Sequence, residues 1–343
     1  MRSLTRQASC LSPVNARVLE FLNADAKAQI GIGRAMKMLV LAAAALCCLA
    51  MPSYGQTAAT VRVATLPVDA GAEVFYAKDM GFFAKAGLDV SIESIQNSNA
   101  LAAAVLANAV DIGYVNFVSI AAAHQKNIPF VAIAPGALYS AKTHSTALLA
   151  SAGSPIRIGK DLNGKVVATQ GLGTINEYGA RAWVDQNGGD SSSVKFVEVA
   201  FSEMPTAIAA GRVDAAVITE PYLTQAKRSL RVIGYPFDVI APEVSLSAWT
   251  TTSAWAKEHP DLVSRFAAAI RETAVWANKN QAKSGEILAK YTRIDPATVA
   301  AMVRVHYAER LAASTVQAEI DISAKYGRFS TFPAQDLIYK GPN

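Results

Sequence analysis

The hydrophobic positions of this chain follow two alternating periods. VRVATL (61–66) is β-branched and alternates, which predicts a strand. AEVFYAKDMGFFAKAGL (72–88) sets apolar Val74, Phe75, Phe82 and Phe83 against solvated Lys78, Asp79 and Lys85, and predicts one helix closed by Gly87. LDVSIES (88–94) is a second strand, and SNALAAAVLAN (98–108) a helix capped by Asn97 or Ser98. VDIGYV (110–115), FVSIAAAHQKN (117–127) and IPFVAIAP (128–135) continue as strand, helix, strand. Such alternation predicts a parallel sheet with helices on its faces.

HSTALLAS (144–151) reads as a strand leaving this unit, after which the pattern restarts. KVVAT (165–169), TINEYGARAWVDQNGG (174–189), VKFVEV (194–199), SEMPTAIAAG (202–211), VDAAVI (213–218) and LRVIGY (230–235) alternate between strand and helix. VSLSAWTTT (244–252) is a strand returning to the first unit, and helices follow at 260–280, 283–291, 296–311 and 315–326. One unit occurs twice. NAVDIGYVNF (108–117) and GRVDAAVITEPY (211–222) each follow an alanine-rich run, turn through Asp111 or Asp214, and end an apolar run on a polar residue, Asn116 or Glu220. The prediction is therefore an α/β protein of two lobes. Lobe I takes 56–150 and 241–343, lobe II takes 151–240, and a two-stranded hinge runs near 144–156 and 240–250. Ligands of such sheets bind beyond the carboxyl ends of the strands, so the cleft between the lobes is the expected site.

Residues 1–55 stand apart. MLVLAAAALCCLAM (38–51) is apolar, follows Arg34 and Lys37, and is too short for a comfortable membrane span. It suits a signal peptide cut near Gly55–Gln56, with Met36-Lys37 as a natural start. Without 1–55, which hold six Lys/Arg and two Asp/Glu, the formal charge falls from +5 to +1. The basicity thus belongs mostly to the export segment, and no nucleic-acid partner is expected. Cys10, Cys47 and Cys48 all lie in that segment, which leaves no disulfide, cysteine metal site or cysteine nucleophile beyond it.

AKDMGFFAKAGLDV (77–90), VDIG (110–113), KDLNGKVVATQGLG (160–173), AAGRVDAAVITEPY (209–222) and HPDLVSRFAAAIRE (259–272) resemble the periplasmic substrate-binding proteins of ABC importers. The likeness is to the nitrate/sulfonate/taurine branch, which includes thiamin-precursor binders, and it covers roughly 58–335. It implies a type II periplasmic-binding fold, a monomer in the periplasm, and delivery of a small solute to a membrane permease with its ATPase. No cofactor is implied.

The loops at the strand ends carry the candidate ligand contacts. QGLGTIN (170–176) offers Gly171, Gly173, Thr174 and Asn176 before a helix, where free N–H groups would hold an anionic or polar group, or simply make a tight turn. Asn97 and Ser98 either cap a helix or meet ligand, and Asn116 closes its strand beside Ser119. Asp69 is a helix cap or a cleft acid, and Glu220 a ligand contact or a bond to hinge backbone. Tyr76, Tyr222 and Trp249 stack on a flat ligand or sit in the core.

Loops PVDAG, QNSN, NFVS, TQGLGTIN, AFSEMP and TEPY contain no Lys or Arg but do contain Asp69, Glu203 and Glu220. A sulfonate or nitrate site wants a cation or strong helix termini. This composition favours a neutral or cationic ring or amine, such as a thiamin-precursor pyrimidine; His144 is the nearby group able to meet an anion. The alternative is an enzyme on the same fold, a dehydratase or decarboxylase acting on a small organic acid. HExxH, GxSxG, a P-loop and metal-spaced histidines are all missing from the sequence, so no catalytic or metal-binding residue is assigned.

Overall fold

A computed structural model describes residues 58–327 and 329–341; the signal segment expected at 1–55 lies outside them. The first sheet orders Leu88–Ser94 (β2), Ala59–Thr65 (β1), Ile112–Val115 (β3), Ala248–Thr252 (β12) and Phe130–Pro135 (β4). β1 runs parallel to β2 and β3, whereas β12 is antiparallel to β3 and β4. The second sheet orders Leu230–Gly234 (β10), Thr146–Ser151 (β6), Ala215–Thr219 (β9), Val166–Thr169 (β7) and Lys195–Glu198 (β8). Here β7 is parallel to β8 and β9, and β6 is antiparallel to β9 and β10. Both sheets are mixed where parallel ones were expected, because each accepts a strand arriving from the other lobe. Residues 146–151, expected in the first lobe, belong to the second sheet.

Between the sheets run Ala137–Ser140 (β5) and Glu243–Ser245 (β11), paired antiparallel, with His306–Tyr307 (β13) on the other edge of β5. The outgoing crossing thus lies upstream of the expected 144–156. Residues 244–252, read as one strand, divide into β11 and β12 at Leu246–Ser247.

The repeated unit has one structural job in both lobes. Asp111 Oδ2 accepts the Arg62 N–H at 2.7 Å, and Asp214 Oδ2 accepts the Val166 N–H at 2.9 Å. Each aspartate pins the start of its strand to the strand alongside, which fixes the parallel register. Gly113 of VDIG admits close packing: a Cβ there would lie 2.6 Å from Leu101 Cδ2 and Val105 Cγ2 of helix Ser98–Leu106.

The predicted helix at 72–88 breaks at Gly81, whose φ of 76° ends Glu73–Asp79 and starts Phe82–Lys85. The predicted helix at 296–311 ends at Ala301, and the chain then extends into β13. Short helix Tyr222–Ala226 was not expected. Helix Ala313–Gly327 packs against helix Phe117–Gln125 of the first lobe and helix Ile175–Gln186 of the second. Tyr326 donates to Asp185 at 2.7 Å in that contact.

Glu319 of this bridging helix is fully buried, and neither carboxyl oxygen has a partner among the described residues. Burial pushes it well above the ordinary carboxyl range. Above about pH 4.3 the unfolded chain releases a proton that the folded state keeps, so stability falls as pH rises from there. Glu319→Leu is expected to gain about 1–3 kcal/mol at pH 8 and less at pH 4, by urea denaturation at both values.

Candidate functional site

Beyond the strand ends of both sheets lies a cavity of about 50 Å³. That is room for a few waters, so an organic solute requires the lobes to part. Leu66, Val68 and Ala70 follow β1, while Ile175, Phe201, Phe237 and Leu246 complete the apolar wall. The polar wall consists of Ser98, Tyr114, Asn116 and Ser247 on the first-lobe side, and Thr146, Gln170, Asn176 and Thr219 at the second sheet. Among the described residues, no Asp, Glu, Lys, Arg or His lines it.

The polar groups divide into those already satisfied and those with an end left unbonded to the described residues. Thr146 donates to Thr219 at 2.9 Å, and Thr219 to the Ser145 carbonyl at 3.1 Å. Asn116 Oδ1 accepts the Ser119 N–H at 2.9 Å as a helix cap, so its amide N–H₂ is the end left for a ligand. Asn176 is 8% exposed, and its side chain makes no hydrogen bond to the described residues. Gln170 gives its amide N–H to Ser98 Oγ across the cleft, and its buried Oε1 has no partner among the described residues.

Of the residues singled out from sequence, Ser98, Asn116 and Asn176 come together on the cavity wall. The others sit behind or beside it. Asp69 is fully buried and engaged elsewhere: Arg304 Nε donates to its Oδ1 at 3.0 Å and Oδ2 at 3.1 Å, and the Val305 N–H donates at 2.9 Å. Tyr76 joins this ion pair, accepting from Arg304 at 2.9 Å. Burial, then the Asp69 carboxylate, hold the Tyr76 phenol above its ordinary value, which keeps it neutral. Trp249 is core, its indole N–H given to Glu73 at 2.8 Å and its ring 5.1 Å from the cavity residue Tyr114. Burial pushes Glu73 well above the ordinary range, against the pull of the Trp249 bond.

Glu220 turns back on its own helix, accepting from Thr224 N at 3.0 Å and Thr224 Oγ1 at 2.8 Å. Burial raises it, and the Thr224 bonds oppose. Its carbonyl takes the Asp69 N–H at 3.3 Å, which ties the two lobes. Tyr222 lies behind Phe201 with ring centroids 6.2 Å apart. Glu203 is exposed outside the wall. His144 stacks 3.7 Å from Tyr235 and meets Asp238 at 3.0 Å, away from the cavity. The acidic cleft inferred from composition is therefore a neutral one.

Gly171, Gly173 and Thr174 form a closed turn, not an open anion cradle. Glu198 takes the Leu172 N–H at 2.9 Å, Glu177 takes the Gly173 N–H at 2.7 Å, and Thr174 Oγ1 bonds the Gly171 carbonyl at 2.7 Å. Asn97 caps its helix through Asn99 N and Ala100 N, both at 2.9 Å.

The Asn97 amide also reaches the second lobe, at Gln170 O (3.3 Å) and Glu198 (3.4 Å). Asn99 meets Glu198 and Leu172 O, each at 3.0 Å. Glu198 thus closes the rim of the cleft, and in the sequence it is only a polar residue at the end of a strand. Glu198→Ala is expected to raise the radius of gyration of the unliganded protein in small-angle scattering while leaving its unfolding midpoint close to wild type.

The comparisons agree with this architecture. The family model described as NMT1/THI5 like matches residues 71–284, more than half of the chain. No curated protein matches by sequence. The periplasmic aliphatic sulphonate binding protein SsuA of Escherichia coli is similar over 83% of this chain and 93% of its own, at 17% identity and TM-score 0.65. A ligand binding component of an ABC-type import system from Staphylococcus aureus, solved with zinc bound, matches over 82% and 96%, at 14% identity and TM-score 0.70. The nitrate-binding protein NrtA of Synechocystis PCC 6803 matches over 70% and 68%, at 14% identity and TM-score 0.60. At these identities the structural likeness shows the fold: an α/β periplasmic binding protein fold of two lobes with C-terminal helices.

Proposed function

The chain belongs to the NMT1/THI5-like family, and from that premise we propose that it is the solute-binding component of an ABC importer, closing its lobes on a small neutral organic solute. The observation that carries this reading is the wall of the cavity. Among the described residues it draws on both lobes, mixes apolar side chains with carboxamides and hydroxyls, and has no formal charge.

A bare sulfonate or nitrate held there would lack a cation, and the Leu172 and Gly173 N–H groups are already given to Glu198 and Glu177. A cationic amine would lack a carboxylate, since Asp69 is paired with Arg304 and Glu220 is bonded to Thr224. A neutral planar heterocycle with donors and acceptors on its edge, such as a thiamin-precursor pyrimidine, suits amides backed by Phe201 and Phe237. A dehydratase or decarboxylase would need an acid or base within reach of its substrate, and the titratable side chain that the described wall offers is the Tyr114 phenol, which burial holds above its ordinary value and so keeps neutral.

In the proposed cycle the protein is exported to the periplasm. Solute enters an open form, bonds Asn116 of one lobe and Asn176 of the other, and shifts the population towards closed. The closed form then docks on a permease whose ATPase drives import. Native mass spectrometry of protein purified without unfolding tests this. The expected result is a bound organic molecule of neutral formula, released intact on denaturation. A bound alkanesulfonate or nitrate would contradict the neutral-solute reading.

A further inference from the structure

We propose that Gln170 is a specificity-determining residue, reading a hydrogen-bond donor on the solute and linking that donor to closure through Ser98. This rests on the solute-binding reading above. Gln170 is 2% exposed, follows β7 directly and lines the cavity. Its carboxamide faces two ways. The N–H₂ end donates to Ser98 Oγ of the opposite lobe, and the Oε1 end is buried without a partner among the described residues. A buried carbonyl oxygen left bare carries a desolvation penalty, which a donor on the solute would relieve.

Asn116, facing the same cavity from the other lobe, has the opposite polarity. Its oxygen is taken by the Ser119 N–H, which can only donate, so Asn116 offers N–H to the cavity. One lobe therefore gives a hydrogen bond and the other takes one. A solute with an acceptor on one edge and an N–H or O–H on the other bridges both. A solute whose donor is methylated leaves Gln170 Oε1 bare, and a site built this way rejects it. The orienting bond from Gln170 to Ser98 exists only when the lobes meet, so the donor is read in the closed form.

The test uses solute pairs that differ by methylation or replacement of one group, one member with a donor and one without. They are 4-amino-2,5-dimethylpyrimidine with its 4-methoxy analogue, benzamide with N,N-dimethylbenzamide, and 2-pyridone with N-methyl-2-pyridone. Calorimetry on wild type, Gln170→Leu and Ser98→Ala gives the ratio of affinities within each pair, and thermal melts check folding. Wild type should prefer the donor member by about tenfold or more. Gln170→Leu should lose that preference by weakening the donor member alone, and Ser98→Ala should narrow it by freeing the carboxamide to turn. Binding with no donor preference, or a preference that survives in Gln170→Leu, overturns the role of Gln170 and leaves the solute-binding reading intact. Absence of binding for every pair overturns both.

Discussion

Arg304→Met is expected to cost about 3–5 kcal/mol of folding stability, because it strands a carboxylate inside the protein. Asp69 is wholly buried, and Arg304 grips both its oxygens while also donating to Tyr76, Ser284 and the Gln281 carbonyl. Burial alone would lower the Arg304 guanidinium; the Asp69 carboxylate, together with the Tyr76 and Tyr307 side chains, more than reverses this and holds it above its ordinary value. Removing one partner leaves the other charge without compensation, whereas removing both does not. Asp69→Leu with Arg304→Met should therefore cost less than the two single changes summed. Urea denaturation of the three variants measures the difference. The pair also shapes the site, since Val68 and Ala70 on either side of Asp69 line the cavity. Arg304→Met should consequently weaken solute binding as well as the fold.

Asn176→Ala is expected to behave in the opposite way, weakening solute binding about 10–100-fold with stability changed by no more than about 0.5 kcal/mol. Its side chain is buried in the cavity wall and makes no hydrogen bond to the described residues, so the folded protein loses little without it. Asn116→Ala provides the contrast. It should weaken binding similarly and also lose about 1 kcal/mol of stability, because Asn116 caps helix Phe117–Gln125. Calorimetric titration beside thermal melts separates the two effects.

The alternation of strands and helices was readable because each element carries its own period, and the doubled Asp111/Asp214 unit because it is local. Sheet direction was not readable from the same signals. β12 (AWTTT) is a short β-prone run with nothing in it that fixes its direction, and its place between β3 and β4 is decided by where the chain returns from the second lobe. The break of the predicted helix after Ala301 has a similar origin: Arg304 must reach Asp69, 235 residues away in sequence, and no window of sequence carries that pairing.

Ser98, Asn116 and Asn176 were legible in the site because polar residues at strand ends in a two-lobed α/β protein have few other places to face. Asp69 and Glu220 misled the inference of cleft charge, because composition counts carboxylates without showing their partners. Phe237 left no signal, since it comes from an aperiodic loop after β10. Glu198 left none either, since an exposed glutamate ending a strand looks like ordinary surface.

The most direct measurement is a thermal-shift titration of the protein, unfolded and refolded to strip carried-over solute, against neutral heterocycles, amines, alkanesulfonates and nitrate at low and high salt. A saturable rise in melting temperature with a neutral heterocycle, insensitive to salt and with the compound recovered unchanged, is the predicted result. A larger, salt-sensitive rise with a sulfonate or nitrate, or conversion of the compound, would contradict the account of a neutral cleft that binds without chemistry.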